Sequence, residues 1–454
     1  MKNKFNIVYI HSHDTGRHIQ PYGYAVDTPR LQQLAEEGIM FRKAFDAAPV
    51  CSASRAALLT GMCPHSNGMM GLAHFGWRLN DYKQHIIHTL HKAGYVSALS
   101  GIQHIAARPA SSVEEIGYSE VLATDSKKAD DITNAALEYL GREHEQPFFL
   151  SVGYFDTHRP FPTEIDERDD PKYTLVPPTL IDSPENREDM AAYKTSARTW
   201  DTSVGRVLDA LEANGQAENT LVICTTDHGL AMPKMKCKLT DHGTGVLLIM
   251  RGPGGFEGGR VIDGMISHID LFPTICELLE IEKPDWLQGT SIMPLIQGEA
   301  VEVNEELFAE VTYHAAYEPK RSVRTKRWKY IRRFDQEYTK EVRPNCDDGP
   351  GKFLMLDGGW GELEPDVEQL YDLLLDPQEY NNLADKTAYA EVLDQMRARL
   401  DRWMERTNDP LLNGPVPPSE HFKTWPITNV SPKGPMFDKN GNEILPDNFL
   451  QNAR

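Results

Sequence analysis

The chain has 454 residues, of which 40% are hydrophobic and 25% are charged, a composition typical of a soluble globular protein. At roughly 100 to 200 residues per domain, this length predicts two or three domains. The formal net charge of -20 argues against a protein whose entire surface binds nucleic acid, because phosphate recognition normally requires a basic surface. An anionic substrate would therefore need a local cationic pocket.

The six cysteines form no C-x-x-C pair, so neither a disulfide scaffold nor a cysteine zinc site is predicted. Near the N-terminus the apolar run "IVYI" is too short for the core of a signal peptide, and no apolar stretch approaches the ~18 residues of a membrane helix. We therefore expect a cytoplasmic protein that does not enter a membrane. A periplasmic or secreted protein in its mature form would show the same features.

The N-terminal part alternates predicted strands with predicted helices. A buried strand is predicted at 5–10, and a helix at 27–38 has Thr28 as its cap, Pro29 in its first turn and Gly38 as its stop. The later elements are predicted at 95–99, 127–142, 148–154, 189–212, 220–225 and 246–250. This order is typical of an α/β fold with a large, mostly parallel sheet flanked by helices.

Clusters of ionisable residues follow three of these strands. They are "HSHD" after the first strand, "FDTHRP" after "FFLSVGY" and "DHG" after "LVICTT". In such sheets ligands bind beyond the carboxyl ends of the strands. The three clusters therefore predict an enzyme site at one edge of the sheet.

The sequence changes character after about residue 283. Polar and apolar residues alternate in "RSVRTKRWKYIRRF" (321–334), which predicts a pair of strands. We interpret the cations of this segment as solvated rather than glycan-binding. "EQLYD" is also strand-like. A helix over 389–406 has an apolar face formed by Val392, Leu393, Met396, Leu400 and Met404. We predict a catalytic domain over 1–300 and a smaller α+β domain over 301–454, with an antiparallel sheet, this helix and a tail from Thr407 that wraps the surface.

Cys51 and Arg55 stand at the start of a predicted short helix, "SASRAALLTG", that ends at Gly61. Backbone N–H groups and the helix dipole favour an anion at this end, and the guanidinium of Arg55 adds to the effect. A lone cysteine is usually a small buried hydrophobe. The alternative is a thiolate nucleophile with a lowered pKa.

Cys51-Ser52-Ala53-Ser54-Arg55 followed by "AALLTG" resembles the C-x-(P/A)-x-R signature of the type I sulfatases, and the preceding "TPRLQQLAEEGIMFRKAFDAAPV" is also similar to that family. The resemblance implies an alkaline phosphatase-like fold and conversion of Cys51 to formylglycine by a sulfatase-maturation enzyme. A hydrated aldehyde offers one hydroxyl to attack sulfur and a second whose deprotonation expels the sulfate. Ala53 departs from the proline of many members.

The resemblance also implies a divalent metal beside Cys51, usually Ca²⁺. Asp14 and Asp227 stand at metal-ligand positions of the family, and His13 and His228 replace oxygen ligands there. Imidazole suits softer ions better than Ca²⁺, so Mn²⁺ and Zn²⁺ remain open. The implied ligands are His13, Asp14, Cys51, Asp227 and His228.

Three further positions match residues that contact the sulfate or protonate the leaving group in this family. They are His104 in "SGIQHIA", His158 in "FDTHRPF" and Lys236 in "PKMKCKLTDHGTG". Gln103 stands where a lysine is common, and Lys238 is a less favoured candidate than Lys236. Cationic groups around a tetrahedral anion stabilise the charge that grows during S–O or S–N cleavage.

Within the family, stretches such as "HSNGMMGLAHFGWRLND" and "QLYDLLLDPQEYNNLAD" are most similar to the heparan N-sulfatases and their bacterial relatives. Glu310 and His314 match a segment that approaches the sugar, and Arg321 is interpreted as a strand residue. The resemblance implies removal of sulfate from a sulfated mono- or oligosaccharide, with N-sulfoglucosamine favoured. An O-sulfatase, a phosphomonoester or phosphonate hydrolase, and a non-catalytic binder of sulfated glycans are the alternatives.

Overall fold

The computed structural model describes residues 4–107, 110–123, 126–335, 337–419, 425–432, 436–437 and 443–444. Its strands are β1 (Asn6–His11), β2 (Ile39–Phe41), β3 (Ala44–Phe45), β4 (Val96–Gly101), β5 (Glu120–Val121), β6 (Phe148–Gly153), β7 (Thr220–Thr225), β8 (Gly245–Val246), β9 (Leu248–Arg251), β10 (Arg260–Ile262), β11 (Ile266–Ser267), β12 (Glu306–Tyr313), β13 (Tyr317–Thr325), β14 (Trp328–Arg333), β15 (Glu368–Asp372), β16 (Met436–Phe437) and β17 (Glu443–Ile444).

Its α-helices are α1 (Pro29–Glu37), α2 (Cys51–Thr60), α3 (Pro64–Asn67), α4 (Ile86–Lys92), α5 (Ala110–Glu114), α6 (Ala129–Leu140), α7 (Pro184–Ala213), α8 (Asp241–Thr244), α9 (Leu271–Leu278), α10 (Met293–Gln297), α11 (Pro350–Asp357) and α12 (Ala390–Arg406). Within the described ranges, no helix combines the length and the apolar character needed to cross a membrane.

The largest sheet has eight strands in the order β10-β2-β9-β7-β1-β6-β4-β5. All of its neighbouring strands run parallel except β9, which is antiparallel to both β2 and β7. The central strands β1, β6 and β7 are fully buried, as their apolar runs predict. The mostly parallel sheet expected from the sequence is confirmed, and it brings the ends of β1, β6 and β7 side by side.

Two local features differ from expectation. The strand predicted at 246–250 is split into β8 and β9, because the N–H of Leu247 between them donates to the carbonyl of Gly16 at 2.8 Å. Thr28 stands at the N-cap position of α1, yet its hydroxyl bonds the backbone of Gln20 and Val26 instead of a helix N–H. Thr28 therefore stabilises the loop that precedes α1 instead of capping the helix.

A second sheet of four antiparallel strands, β12-β13-β14-β15, packs against α12. The buried face of α12 includes Trp403 in addition to the predicted residues, and Val392 is only partly buried. The expectation that the cations of 321–334 are solvated is wrong for most of them. The buried ones are Arg321, Arg324, Lys329 and Arg333.

A buried charge requires a partner, and carboxylates supply it for three of these cations, while Arg333 donates to the backbone carbonyl of Tyr338. Arg324 and Lys329 both bond Asp241, and Arg321 bonds Asp409. One hydrophobic cluster includes residues of the large sheet, of α2 and of α12. The division at residue 300 stays a prediction, and part of the tail beyond Thr407 lies outside the described residues.

Candidate active site

Cys51 is the first residue of α2, a helix whose ten residues are all buried and which ends at Gly61 in the left-handed conformation, as expected. Its Sγ lies 3.2 Å from Nε2 of His228 and 3.9 Å from Oδ1 of Asp14. Burial raises the pKa of the Cys51 thiol well above its usual value, against the opposing effect of Lys236. A stable thiolate nucleophile is therefore not supported.

Arg55, one turn along α2, is buried and points to the ends of β1 and β7. Its NH2 donates to the carbonyl of Ser12 at 2.8 Å and to Oδ2 of Asp227 at 3.0 Å, and NH1 contacts Nδ1 of His11. Burial first, and Arg55 second, lower the pKa of His11, so this imidazole stays neutral. Arg55 thus ties the helix that carries Cys51 to two strand ends.

The four residues predicted as metal ligands beside Cys51 converge within hydrogen-bonding distances. Nδ1 of His13 lies 2.9 Å from Oδ1 of Asp14 and 3.1 Å from Oδ2 of Asp227. Nε2 of His228 lies 3.2 Å from Oδ1 of Asp14, while its Nδ1 lies 2.9 Å from the carbonyl of Gly229. Because that carbonyl requires a proton on Nδ1, Nε2 is left with a free lone pair that faces the carboxylates.

This donor set fits a divalent cation. One ligand atom from each of His13, Asp14, Cys51 and Asp227 lies within 4.8 Å of the others. Burial alone would raise the pKa of Asp14, but Lys236 and the nearby histidines hold it well below its usual value. The pKa of Asp227 is also lowered, since His13, His228 and Arg55 outweigh its burial. Both carboxylates are thus ionised, as metal binding requires.

Lys236 is buried between two carboxylates. Its Nζ lies 3.1 Å from Oδ2 of Asp14 and 3.0 Å from Oδ2 of Asp347. Although burial lowers the pKa of Lys236, these two carboxylates raise it well above the usual value, so the ammonium stays charged. Lys238 instead pairs with Glu318 and Glu341, away from Asp14.

The rings of His104 and His158 both lie close to that of His13. Their rings are 5.4 and 4.5 Å from the His13 ring, and Nε2 of His158 is 3.8 Å from Oδ2 of Asp14. His104 has a left-handed backbone, stacks on His74 and, among the described contacts, has a buried Nδ1 without a hydrogen-bond partner. Burial lowers the pKa of His158 to about 4, so it is neutral at neutral pH. Among the described contacts, Gln103 bonds Ile105 and Ala106 of its own loop.

A cavity of about 710 Å³ opens next to this cluster. His158 and Asp347 form the wall nearest to Asp14 and Lys236, and loop 159–165 and the first turns of α7 form other parts of the lining. A cavity of this size can hold a saccharide unit.

The two residues predicted to bind the sugar lie in different environments. Among the described contacts, the buried Nδ1 of His314 lacks a partner, and Lys236 and Asp347 influence its pKa, which burial lowers to about 3. Glu310 is buried elsewhere, where His65 and Arg321 bind its carboxylate. This pairing does not support contact of Glu310 with a sugar.

Sequence reasoning missed Asp347 and His74. Asp347 comes from "NCDDG", far along the chain and after no recognisable strand, so only the fold reveals its contact with Lys236. His74 lies in "GLAHFG", and it is its position beside His104, with stacked rings and Nδ1 3.2 Å from Nε2 of His104, that singles it out. His11 belongs to the strand-end cluster that was recognised, although its bond to Arg55 was not.

Comparisons with known proteins agree with this geometry. The sulfatase family model matches residues 5–281, and the model described as N-sulphoglucosamine sulphohydrolase, C-terminal, matches residues 236–348. The chain therefore belongs to the sulfatase family. It is an enzyme that hydrolyses sulfate esters or sulfamates.

The relatives include human N-sulphoglucosamine sulphohydrolase, 28% identical over 446 residues, with 86% of this chain and 88% of the relative covered. An ulvan-active sulfatase of Formosa agariphila is 26% identical over 493 residues, which cover 94% of this chain and 79% of the relative. A solved structure described as a 2-O GAG sulfatase superposes with a TM-score of 0.68 at 21% identity, covering 90% of this chain and 94% of that chain. The expected alkaline phosphatase-like fold is confirmed.

Proposed function

We propose that this sulfatase removes sulfate from a saccharide with a formylglycine made from Cys51 and a bound divalent metal, and that N-sulfoglucosamine is the favoured unit. The observation that carries the proposal is the single buried cluster of Cys51, Arg55, Asp14, Asp227 and Lys236 at the strand ends. The similarity to human N-sulphoglucosamine sulphohydrolase supports the sulfamate. The similarity to an ulvan-active sulfatase makes an O-sulfated sugar the second candidate.

The metal would be held by Asp14, Asp227, His13 and His228, beside Cys51. When bound, a divalent cation supplies Lewis-acid polarisation of a sulfuryl oxygen. Two carboxylates with two imidazoles favour Mn²⁺ or Zn²⁺ over the Ca²⁺ expected from the family, because Ca²⁺ prefers oxygen ligands throughout.

The side chains of this chain have distinct tasks in the proposed reaction. Cys51, in its formylglycine form, provides the hydroxyl that attacks sulfur. Lys236 stabilises the negative charge on the sulfuryl oxygens, and Arg55 holds Asp227 and the start of α2 in place. The unpartnered Nδ1 of His104 is available to a sulfate oxygen.

His158 is proposed to protonate the leaving atom. Its Nδ1 contacts the carbonyl of Arg159, so Nε2 carries the lone pair and faces Asp14. An anionic sulfate bound nearby raises the pKa of an imidazole, because it stabilises the charged form. Substrate binding thus gives His158 the proton that it then transfers.

The deciding experiment is mass spectrometry of the tryptic peptide from Ala44 to Arg55, from protein produced with a maturation enzyme. The expected result is the mass loss of a thiol converted to an aldehyde. Sulfate release is then measured on N-sulfoglucosamine, glucosamine 6-sulfate and an aryl sulfate, and phosphate release on an aryl phosphate, with Cys51→Ala as the control. Full activity with an unmodified thiol would contradict the proposal, and preference for the phosphate would favour a phosphoryl hydrolase.

A further inference from the structure

The cavity beside His158 is unusually acidic for a site that accepts an anion. Its described walls carry five carboxylates against a single guanidinium, that of Arg159; the carboxylates are those of Glu185, Glu188, Asp189, Asp347 and Asp348. Lys236, the cation proposed to bind the sulfuryl oxygens, and Arg55 both lie in the buried cluster and do not line the cavity. The charge thus changes sign between the sulfate position and the space for the leaving group.

All three nitrogens of Arg159 make hydrogen bonds within the cavity wall. Its Nε donates to the carbonyl of Ala231 at 2.8 Å, and NH1 and NH2 both donate to the carboxylate of Asp189. The guanidinium also lies 4.4 Å from the centre of the Phe161 ring. Arg159 is therefore neutralised within the wall and shapes the cavity instead of attracting a second anion.

The remaining carboxylates face the cavity more openly. Lys236 pairs with Asp347 and Lys352 with Asp348, but both lysines are buried, with 2% and 0% of their side chains exposed, while the carboxylates keep 17% and 14% exposed. Glu185 and Glu188, in the first turns of α7, are exposed. A second anionic group on a ligand would meet like charges here, and an ammonium would meet opposite ones.

Resting on the proposed function, we propose that this cavity selects singly sulfated saccharides whose other groups are hydroxyls or an ammonium. Leaving groups with a second sulfate or a carboxylate are rejected by the carboxylates of the wall. Glu188 is a specificity-determining residue, because its carboxylate lines the cavity and is exposed.

The test is a ligand-observed NMR titration of the full chain with glucosamine, N-acetylglucosamine and glucuronic acid. These sugars differ chiefly in charge, and they report binding without sulfate release, so an inactive enzyme and a wrong selectivity are told apart. We expect glucosamine to bind most tightly and glucuronic acid most weakly. Comparable affinity for glucuronic acid, or binding of none of the three, overturns the proposal.

One variant and its control test whether Glu188 causes the preference for glucosamine over glucuronic acid. Glu188→Gln is expected to narrow the affinity ratio of glucosamine to glucuronic acid by about 2- to 5-fold, the range of a partly exposed charge pair. The matched change Glu405→Gln, on the exposed side of α12, leaves the ratio unchanged. Added salt narrows the ratio of the unaltered chain by screening. An unchanged ratio in Glu188→Gln places the discrimination elsewhere and overturns the assignment.

Discussion

At the scale of single residues, Lys236 is a charged side chain whose ammonium group is held in a fixed position. Two carboxylates, Asp14 and Asp347, hold its ammonium in one place, so little reorganisation is needed when a sulfuryl oxygen arrives. A mobile surface lysine would be solvated instead. The pairing also means that loss of Lys236 leaves two uncompensated carboxylates, Asp14 and Asp347, opposing an anionic substrate.

Lys236→Ala is expected to reduce kcat/KM for a sulfated saccharide by about 100-fold or more, the size of effect seen when one donor to a developing oxyanion is removed. Sulfate release under initial-rate conditions is the measurement. Lys283→Ala, at an exposed lysine, serves as the control and should keep full activity. A folded Lys236→Ala with more than about a tenth of the activity would contradict the role.

His85 gives a prediction for stability and pH. Its Nδ1 accepts the N–H of Ile87 as the cap of α4, and burial lowers the pKa of His85 to about 3. The unfolded chain therefore binds this proton near pH 6.5 while the folded chain does not. The stabilisation is full above pH 6.5 and is lost as pH falls toward 3, at up to about 1.4 kcal/mol per pH unit.

His85→Asn keeps a capping side chain without the titration. The free energy of unfolding of this variant, measured in urea between pH 7 and pH 4.5, should fall less steeply than that of the unaltered chain. Other buried histidines contribute equally to both proteins and cancel in the difference. Identical slopes would show that His85 is not held neutral.

Sequence reasoning located most of the cluster at this scale, because Cys51, Asp14, Asp227, His158 and Lys236 stand in local motifs or directly after strands. Asp347 could not be found in this way. Its role depends on a contact with Lys236 across more than 100 positions, and no local pattern encodes such a contact. The pairing of Glu310 with His65 and Arg321 was not anticipated either, because it joins distant parts of the chain, and its contact with a sugar stays a prediction.

At the scale of elements, the end of α2 determines how the helix that carries Cys51 meets the rest of the chain. Gly61 has φ 67°, and a Cβ there would lie 2.5 Å from Cδ2 of Leu287. Gly298 closes α10 with a similar φ of 74°, but a Cβ there would meet nothing within 4 Å. A substitution would therefore strain the backbone at both positions, but only at Gly61 would the new side chain also clash with a neighbour.

Gly298→Ala is expected to cost about 1 kcal/mol, the penalty of a left-handed residue with a Cβ. Gly61→Ala adds an overpacking cost of about 1 to 3 kcal/mol. Urea unfolding of both variants measures the difference. Equal losses of stability would mean that Leu287 moves aside freely.

Elements with strong periodicity were predicted well, and those shaped by tertiary contacts were not. Strand β7 was placed to the residue and α12 to within one residue of its ends. The split between β8 and β9 depends on a bond from Leu247 to Gly16, more than 200 positions away. The burial of Arg321, Arg324 and Lys329 depends on Asp409 and Asp241, which no alternation pattern within 321–334 can reveal.

At the scale of the whole molecule, a buried ionic cluster joins distant parts of the chain. Arg321 on β13 bonds Asp409 and lies 3.1 Å from Glu310, which in turn binds His65 of α3. The side chains of His65, Glu310 and Arg321 are at most 1% exposed. With Arg321 supplying the counter-charge, the cluster is a structural junction.

Arg321→Leu removes the guanidinium that bonds Asp409 and lies beside Glu310, leaving two carboxylates with His65 alone, and is expected to cost about 3 to 5 kcal/mol. Arg397→Leu removes a partly exposed pair with Glu368 and should cost about 1 kcal/mol or less. Thermal and urea unfolding compare the two. A small loss for Arg321→Leu would show that water or protonation compensates for the missing cation.

The burial of α2 also determines whether the proposed conversion of Cys51 comes before or after folding. All ten residues of this helix are buried, and Cys51 itself is 2% exposed in the finished fold. Once the chain has folded, the segment around Cys51 is buried and cannot bind to a second protein as an extended peptide. The proposed conversion of Cys51 therefore requires a chain that has not completed its folding, because the folded state buries this side chain.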